Sequence, residues 1–232
     1  MQQLLLALGS PPTPTLENFA VGVNREPLSA LQGWLEGRLR ERCIYLWGAP
    51  GSGKTHLLRA LVQAAAQRNL TSVYGAPDGL AALEDAAELP RLIAVDDVHR
   101  LNPAQQASLF RLFERATEVD TLVLVGAAVG PAGAPLRDDL RTRLASGLTF
   151  QLHLLSDEDK SEALCAHAAG LGFTLSPEIV QHLLRHQQRD LPSLVQLLDG
   201  LDRYSLQTQR PITLALLREM LQPENFGNVH QP

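Results

Sequence analysis

The sequence predicts an α/β fold, a central five-stranded parallel sheet covered on both faces, followed by a small all-α domain. Two observations carry the prediction. Short apolar runs without polar alternation recur between helical patterns over the first two thirds of the chain, as expected of strands buried on both faces. After Leu155 the strand signals stop, and only helical periodicity and helix-start signals remain.

The elements follow in order. Residues 1–15 read as a tail, a leucine cluster and then the Pro- and Thr-rich PPTPT, which cannot continue a helix. PLSALQGWLEGRLR, from Pro27 to Arg40, sets Leu28, Leu31, Leu35 and Leu39 on one face of an amphipathic helix. CIYLW is a buried strand running into a Gly-rich turn, with a helix over about 54–67 and a short strand near Ser72–Tyr74. RLIAVDD is a buried strand ending in two acids. Pro103 opens a helix reaching about Thr117. TLVLVGAA and LTFQLHL complete five strands. Ser156, with Asp159 three residues on, resembles an N-cap, and helices are expected near 156–169, 176–187, 190–206 and 213–221. The expected organisation is a tail (1–15), an α/β domain (16–154) and a helical domain (155–225).

With 232 residues, 45% of them hydrophobic, the chain can bury one mid-sized core and a smaller one. A net charge of −5 and no basic stripe argue against binding DNA mainly through its phosphates. Cys43 and Cys165 lie far apart in apolar stretches and read as buried structural thiols of a reducing compartment. No apolar run approaches the roughly 20 residues of a membrane span, and the N-terminus lacks a basic signal-peptide region. The expected location is cytoplasmic.

The chemistry begins at Gly48. GAPGSGKT (Gly48, Ala49, Pro50, Gly51, Ser52, Gly53, Lys54, Thr55) satisfies G-x-x-x-x-G-K-[ST] at every fixed position, between a strand and a helix. Glycines let backbone N–H groups turn around phosphates, and the helix N-terminus, which includes His56, adds a favourable dipole. Lys54 would reach the β- and γ-phosphates of ADP or ATP, and Thr55 would hold Mg²⁺. Asp96 would sit beside Thr55 as a second Mg²⁺ residue, and Asp97 could polarise an attacking water. The bland alternative is two acids ending a strand at a wet turn. His99 reads as structural.

Several segments together resemble a known family. LENFAVGVN, CIYLWGAPGSGKTHLLRA, IAVDDVHRL and LRDDLRTRLASGLT resemble the AAA+ domain of DnaA-type replication initiators. The helical end, LSDEDKSEAL with GFTLSPEIVQHLL and LVQLLDGLDRYSL, is similar to the Hda branch of DnaA-related regulators. The resemblance spans about Gln2 to Leu221 and stops before the initiators' DNA-binding domain, so little direct DNA binding is expected. It implies a negative regulator of replication initiation that works with the DNA-loaded sliding clamp to stimulate hydrolysis of DnaA-bound ATP. The implied partners are the DnaA initiator and the clamp, with self-association into a homo-oligomer also open.

The resemblance assigns three further sites. Arg143 matches an arginine finger reaching into a neighbour's ATP; its alternatives are a helix C-terminal charge or a surface ion pair. Gln3, Leu4, Leu6 and Leu8 match a clamp-binding peptide, with Ala7 where proline is usual; otherwise they are a leucine-rich turn packed on the body. Phe19, Ala20, Val21 and Gly22 match the lining of the base pocket, or are ordinary core packing.

Two departures bear on activity. Gly126-Ala127-Ala128-Val129 stands where initiators carry a polar sensor, and none of these side chains can hydrogen-bond a phosphate. Pro192 stands where a lid-helix arginine is usual. Each missing oriented group typically costs about ten- to a thousandfold in rate. The chain is therefore expected to bind nucleotide well and hydrolyse it slowly. An autonomous AAA+ ATPase, such as a helicase loader or assembly factor, is the alternative.

Overall fold

A computed structural model describes residues 13–75, 79–186 and 190–222. The chain divides into two compact units, one spanning Thr13–Leu155 and the other beginning at Ser156.

In the first unit, strands β1 (Cys43–Trp47), β2 (Ser72–Gly75), β3 (Leu92–Val95), β4 (Leu122–Ala127) and β5 (Leu148–Gln151) form one sheet in the order β2-β3-β4-β1-β5. Every pairing is parallel. Side-chain alternation splits the core between the sheet's two faces. Tyr45, Ile93, Val95, Val123 and Val125 pack on α3 (Leu80–Glu84), α4 (Pro103–Glu118) and α5 (Asp138–Ala145). Ile44, Leu46, Leu92, Ala94, Leu122 and Leu124 pack on α1 (Arg25–Leu35) and α2 (Lys54–Gln67). Each fully buried leucine contributes about 2 kcal/mol of apolar burial. The predicted five-stranded parallel sheet with helices on both faces is therefore the observed architecture.

Three expectations need correction. The first helix ends at Leu35 rather than Arg40, because the chain reverses at Gly37 (φ +73°) and the Arg38 and Leu39 N–H groups return to the Gly33 carbonyl. Leu39 still packs on the core from outside the helix. Helices α3 and α5 add to the ordered elements expected from the sequence, α5 being the helix whose last turn carries Arg143. Cys43 is buried as expected, and burial pushes its thiol up to about 12, but Cys165 is exposed. In ALCAHAA only Leu164 and Ala168 face inward, so Cys165 falls on the wet side.

The second unit contains α6 (Asp157–Gly170), α7 (Pro177–His186), α8 (Leu191–Thr208) and α9 (Leu214–Met220) among the described residues. Ser156 and Asp159 form a reciprocal capping box at the start of α6. Leu164, Leu183, Leu194, Leu198, Leu201, Leu216 and Leu217 form its separate core. The His167 ring meets Asp199 Oδ1 at 2.7 Å, joining α6 to α8. Arg210 holds both oxygens of Glu219 at 3.0 and 2.9 Å, and Tyr204 donates to the same carboxylate, tying α8 to α9.

Candidate functional site

The site forms at the C-terminal ends of β1 and β3, which flank β4. Trp47, the last residue of β1, runs into the loop Gly48–Gly53, and α2 begins at Lys54. The loop depends on its glycines. A Cβ on Gly48 would lie 2.2 Å from the Leu152 carbonyl oxygen, and one on Gly53 (φ +94°) would lie 2.7 Å from the Phe19 ring. The first intrahelical bond runs from Leu57 N–H to the Gly53 carbonyl, leaving the N–H groups of Lys54, Thr55 and His56 as the open donors of the helix end.

Lys54 is buried, and its ammonium donates to the carbonyls of Gly48 and Ala49 at 2.8 and 3.0 Å. Burial lowers its pKa, opposed by the charges of Asp96 and Asp97. Ser52 Oγ is buried without a hydrogen-bond partner. A glycine-walled loop, an unpartnered hydroxyl, open helix N–H groups and a lysine fit a nucleoside polyphosphate in charge and shape.

Thr55 and Asp96 are brought together as the sequence anticipated. The Thr55 hydroxyl donates to Asp96 Oδ2 at 2.5 Å, and the Asp97 N–H donates to Asp96 Oδ1 at 2.9 Å. Among the described residues no group of three or more His, Cys, Asp or Glu could cage a metal. A hydroxyl, a carboxylate and bound phosphates together suit Mg²⁺, which keeps several waters and takes few protein ligands. Asp97 adopts a left-handed conformation (φ 50°) and pairs with Arg100 at 3.4 Å. His99 accepts the Ala128 N–H at 3.2 Å, a structural tie between the loop after β3 and the end of β4.

Gly126 stands beside Asp96, and a Cβ there would approach Asp96 Oδ1 to 2.4 Å. The apolar end of β4 thus accommodates the acid. In the helical unit, Pro192 lies in the first turn of α8, capped by Asp190.

The segment before α1 docks on α2. Phe19 is buried against Gly53 and meets the His56 ring at 5.6 Å between centroids. His56 Nε2 donates to the Thr15 carbonyl at 2.9 Å. Val21 and Gly22 are only partly buried, beside the buried Asn24. Asn24 was not recognised from sequence. Its amide donates to the His153 carbonyl at 2.9 Å and accepts the His153 N–H at 2.8 Å.

Arg143 lies in the last turn of α5, 49% exposed, with Nη2 3.0 Å from Glu114 Oε1. That oxygen has no aligned hydrogen bond, so the contact is an ion pair out of line. Gln106, also missed, is buried; it accepts the Arg137 N–H at 2.9 Å and donates to the Leu101 carbonyl at 2.9 Å, seating the entry to α5. Gln3, Leu4, Leu6 and Leu8 lie outside the described residues. No described helix is long and apolar enough to cross a membrane.

The sheet order, the loop and its acid define the AAA+ class of P-loop proteins. Residues 44–152 match the family model for ATPases associated with various cellular activities, and residues 157–221 match the Hda lid domain. An uncharacterised protein of Haemophilus influenzae is 34% identical over 229 residues, 95% of this chain and 98% of that one. The AMPPCP-bound DnaA of Aquifex aeolicus has a similar fold (TM-score 0.68, 22% identity), with 84% of this chain covered and 65% of that one. Domain III of Thermotoga maritima DnaA gives a TM-score of 0.75 at 20% identity, covering 90% and 96% of the respective chains. The chain belongs to the Hda- and DnaA-related AAA+ family.

Proposed function

We propose that this DnaA-related regulator binds ADP or ATP with Mg²⁺ at Gly48–His56, Val21 and Asp96, and promotes hydrolysis of ATP held by the DnaA initiator. The observation that supports this reading is the pairing of an intact cradle with an apolar β4 end. Lys54, Thr55 and Asp96 are assembled for binding, while Gly126–Val129 offers no side chain to orient a γ-phosphate or water. Such a site holds nucleotide more readily than it turns it over, and the bound nucleotide serves conformation.

The chemistry then falls in the partner's site. Arg143, half exposed at the end of α5, supplies a guanidinium to charge spread over the transferring phosphoryl oxygens. A finger given in trans is worth about 10³- to 10⁵-fold in rate. Gln3, Leu4, Leu6 and Leu8 tether the chain to the DNA-loaded sliding clamp, which concentrates it near the initiator.

The test is hydrolysis of ATP prebound to DnaA with clamp-loaded DNA. The wild-type chain speeds it; Arg143→Ala and the triple variant Gln3→Ala/Leu6→Ala/Leu8→Ala do not, while remaining folded. No effect from the wild type would overturn the proposal. The second reading, an autonomous ATPase, draws on the complete Lys54, Thr55, Asp96 and Asp97 set. Substantial turnover by the isolated chain, lost in Lys54→Ala, would establish it.

A further inference from the structure

Asp96 has a third donor that the P-loop motifs do not describe. Tyr74, in β2, pairs in register with Ala94 of β3, two residues before the acid. Its hydroxyl donates to Asp96 Oδ2 at 3.2 Å, the oxygen that also receives the Thr55 hydroxyl at 2.5 Å. With the Asp97 N–H on Oδ1, both carboxylate oxygens are engaged from three directions. The ring is held in turn: the Arg59 guanidinium, one turn after Thr55 on α2, lies over its face, 5.0 Å from the centroid.

A carboxylate that must offer one oxygen towards a small, geometrically demanding cation loses affinity if it rotates freely. The Thr55 hydroxyl can keep donating to Asp96 while a lone pair faces the cation, but it holds the carboxylate from the P-loop side only. Tyr74 adds a second donor to the same oxygen from β2, outside the P-loop. We propose that Tyr74 is a positioning residue for Mg²⁺, fixing the Asp96 carboxylate for metal-dependent nucleotide binding. The proposal rests on Asp96 being the magnesium acid, as the proposed function has it.

Tyr74→Phe removes the hydroxyl and keeps the ring under Arg59. Nucleotide affinity of the isolated chain is measured in EDTA and across a Mg²⁺ titration, for wild type, Tyr74→Phe and Asp96→Asn. The expected result is an unchanged affinity in EDTA and a half-saturating Mg²⁺ concentration raised about tenfold or more in Tyr74→Phe, the usual effect of losing a group that orients a metal ligand. A Tyr74→Phe titration that overlays the wild type, while Asp96→Asn is shifted, overturns the role of Tyr74. An Asp96→Asn titration that also overlays the wild type overturns the reading of Asp96 itself. A purely structural hydroxyl would lower the unfolding temperature and move both affinities together, and that outcome too counts against the proposal.

Discussion

Asn24 and His153, 129 residues apart in sequence, exchange two hydrogen bonds through one side chain and one backbone. The Asn24 amide presents a donor and an acceptor to the His153 peptide groups as a neighbouring strand would, just beyond β5. This joins the segment carrying Val21 to the end of the sheet from which the phosphate loop springs. Asn24→Ala removes both hydrogen bonds of a side chain that is 2% exposed, at a cost of about 2 kcal/mol. Chemical denaturation should show that loss, and nucleotide affinity should fall with it.

His56 links stability to pH. Burial lowers its pKa, and the Thr15 carbonyl that accepts its Nε2–H works weakly the other way. The folded chain therefore holds fewer protons on this residue than the unfolded chain does between the lowered value and the ordinary 6.5. Its contribution is fully present above 6.5 and is lost as pH falls through the folded value. Denaturation midpoints measured from about pH 7.5 to about pH 5 should decline more steeply for wild type than for His56→Gln. Parallel slopes would show that the ring titrates as it does in the unfolded chain.

The phosphate loop and its acid were legible in sequence because they are local. A glycine pattern between a buried strand and a helix is set by nearest neighbours, and LIAVDD announces its own strand end. Much of the rest depends on residues distant in sequence. Helix α5 offers only Leu140 and Leu144 to the core, too short a stripe to read as a period. Tyr74 reads simply as a strand residue until pairing of β2 with β3 carries it to Asp96. Asn24 and Gln106 bind backbone groups that no local pattern identifies. Cys165 is exposed against expectation because an alanine-rich helix does not mark which face is dry.

The same neighbourhood predicts why a sensor cannot simply be restored. A Cβ at position 126 would press on Asp96 Oδ1 at 2.4 Å, and that carboxylate is already held by three donors. Gly126→Ala should lower stability by about 1–3 kcal/mol through overpacking and raise the Mg²⁺ needed for nucleotide binding. Gly126→Ser should do the same without increasing ATP turnover. Faster hydrolysis by Gly126→Ser would mean that Asp96 can yield, and that the missing hydroxyl alone slows the site.

On the proposed function, Arg143 of α5 supplies chemistry, whereas Gln106 of α4 only supports the entry to α5. The Arg143–Glu114 pair is roughly half exposed on both sides and lacks an aligned hydrogen bond, so it contributes at most about 1 kcal/mol. Arg143→Ala should leave the unfolding temperature nearly unchanged while removing stimulation of initiator-bound ATP hydrolysis. Gln106 is 7% exposed and bonds to three backbone groups, at Leu101, Pro135 and Arg137. Gln106→Ala should cost about 2 kcal/mol and reduce stimulation only as far as it displaces α5. Arg143→Lys keeps the charge and loses the planar fork, so it should recover little of the rate. If Arg143→Ala instead destabilises the chain as much as Gln106→Ala does, the arginine is a structural ion pair and the finger must be sought elsewhere.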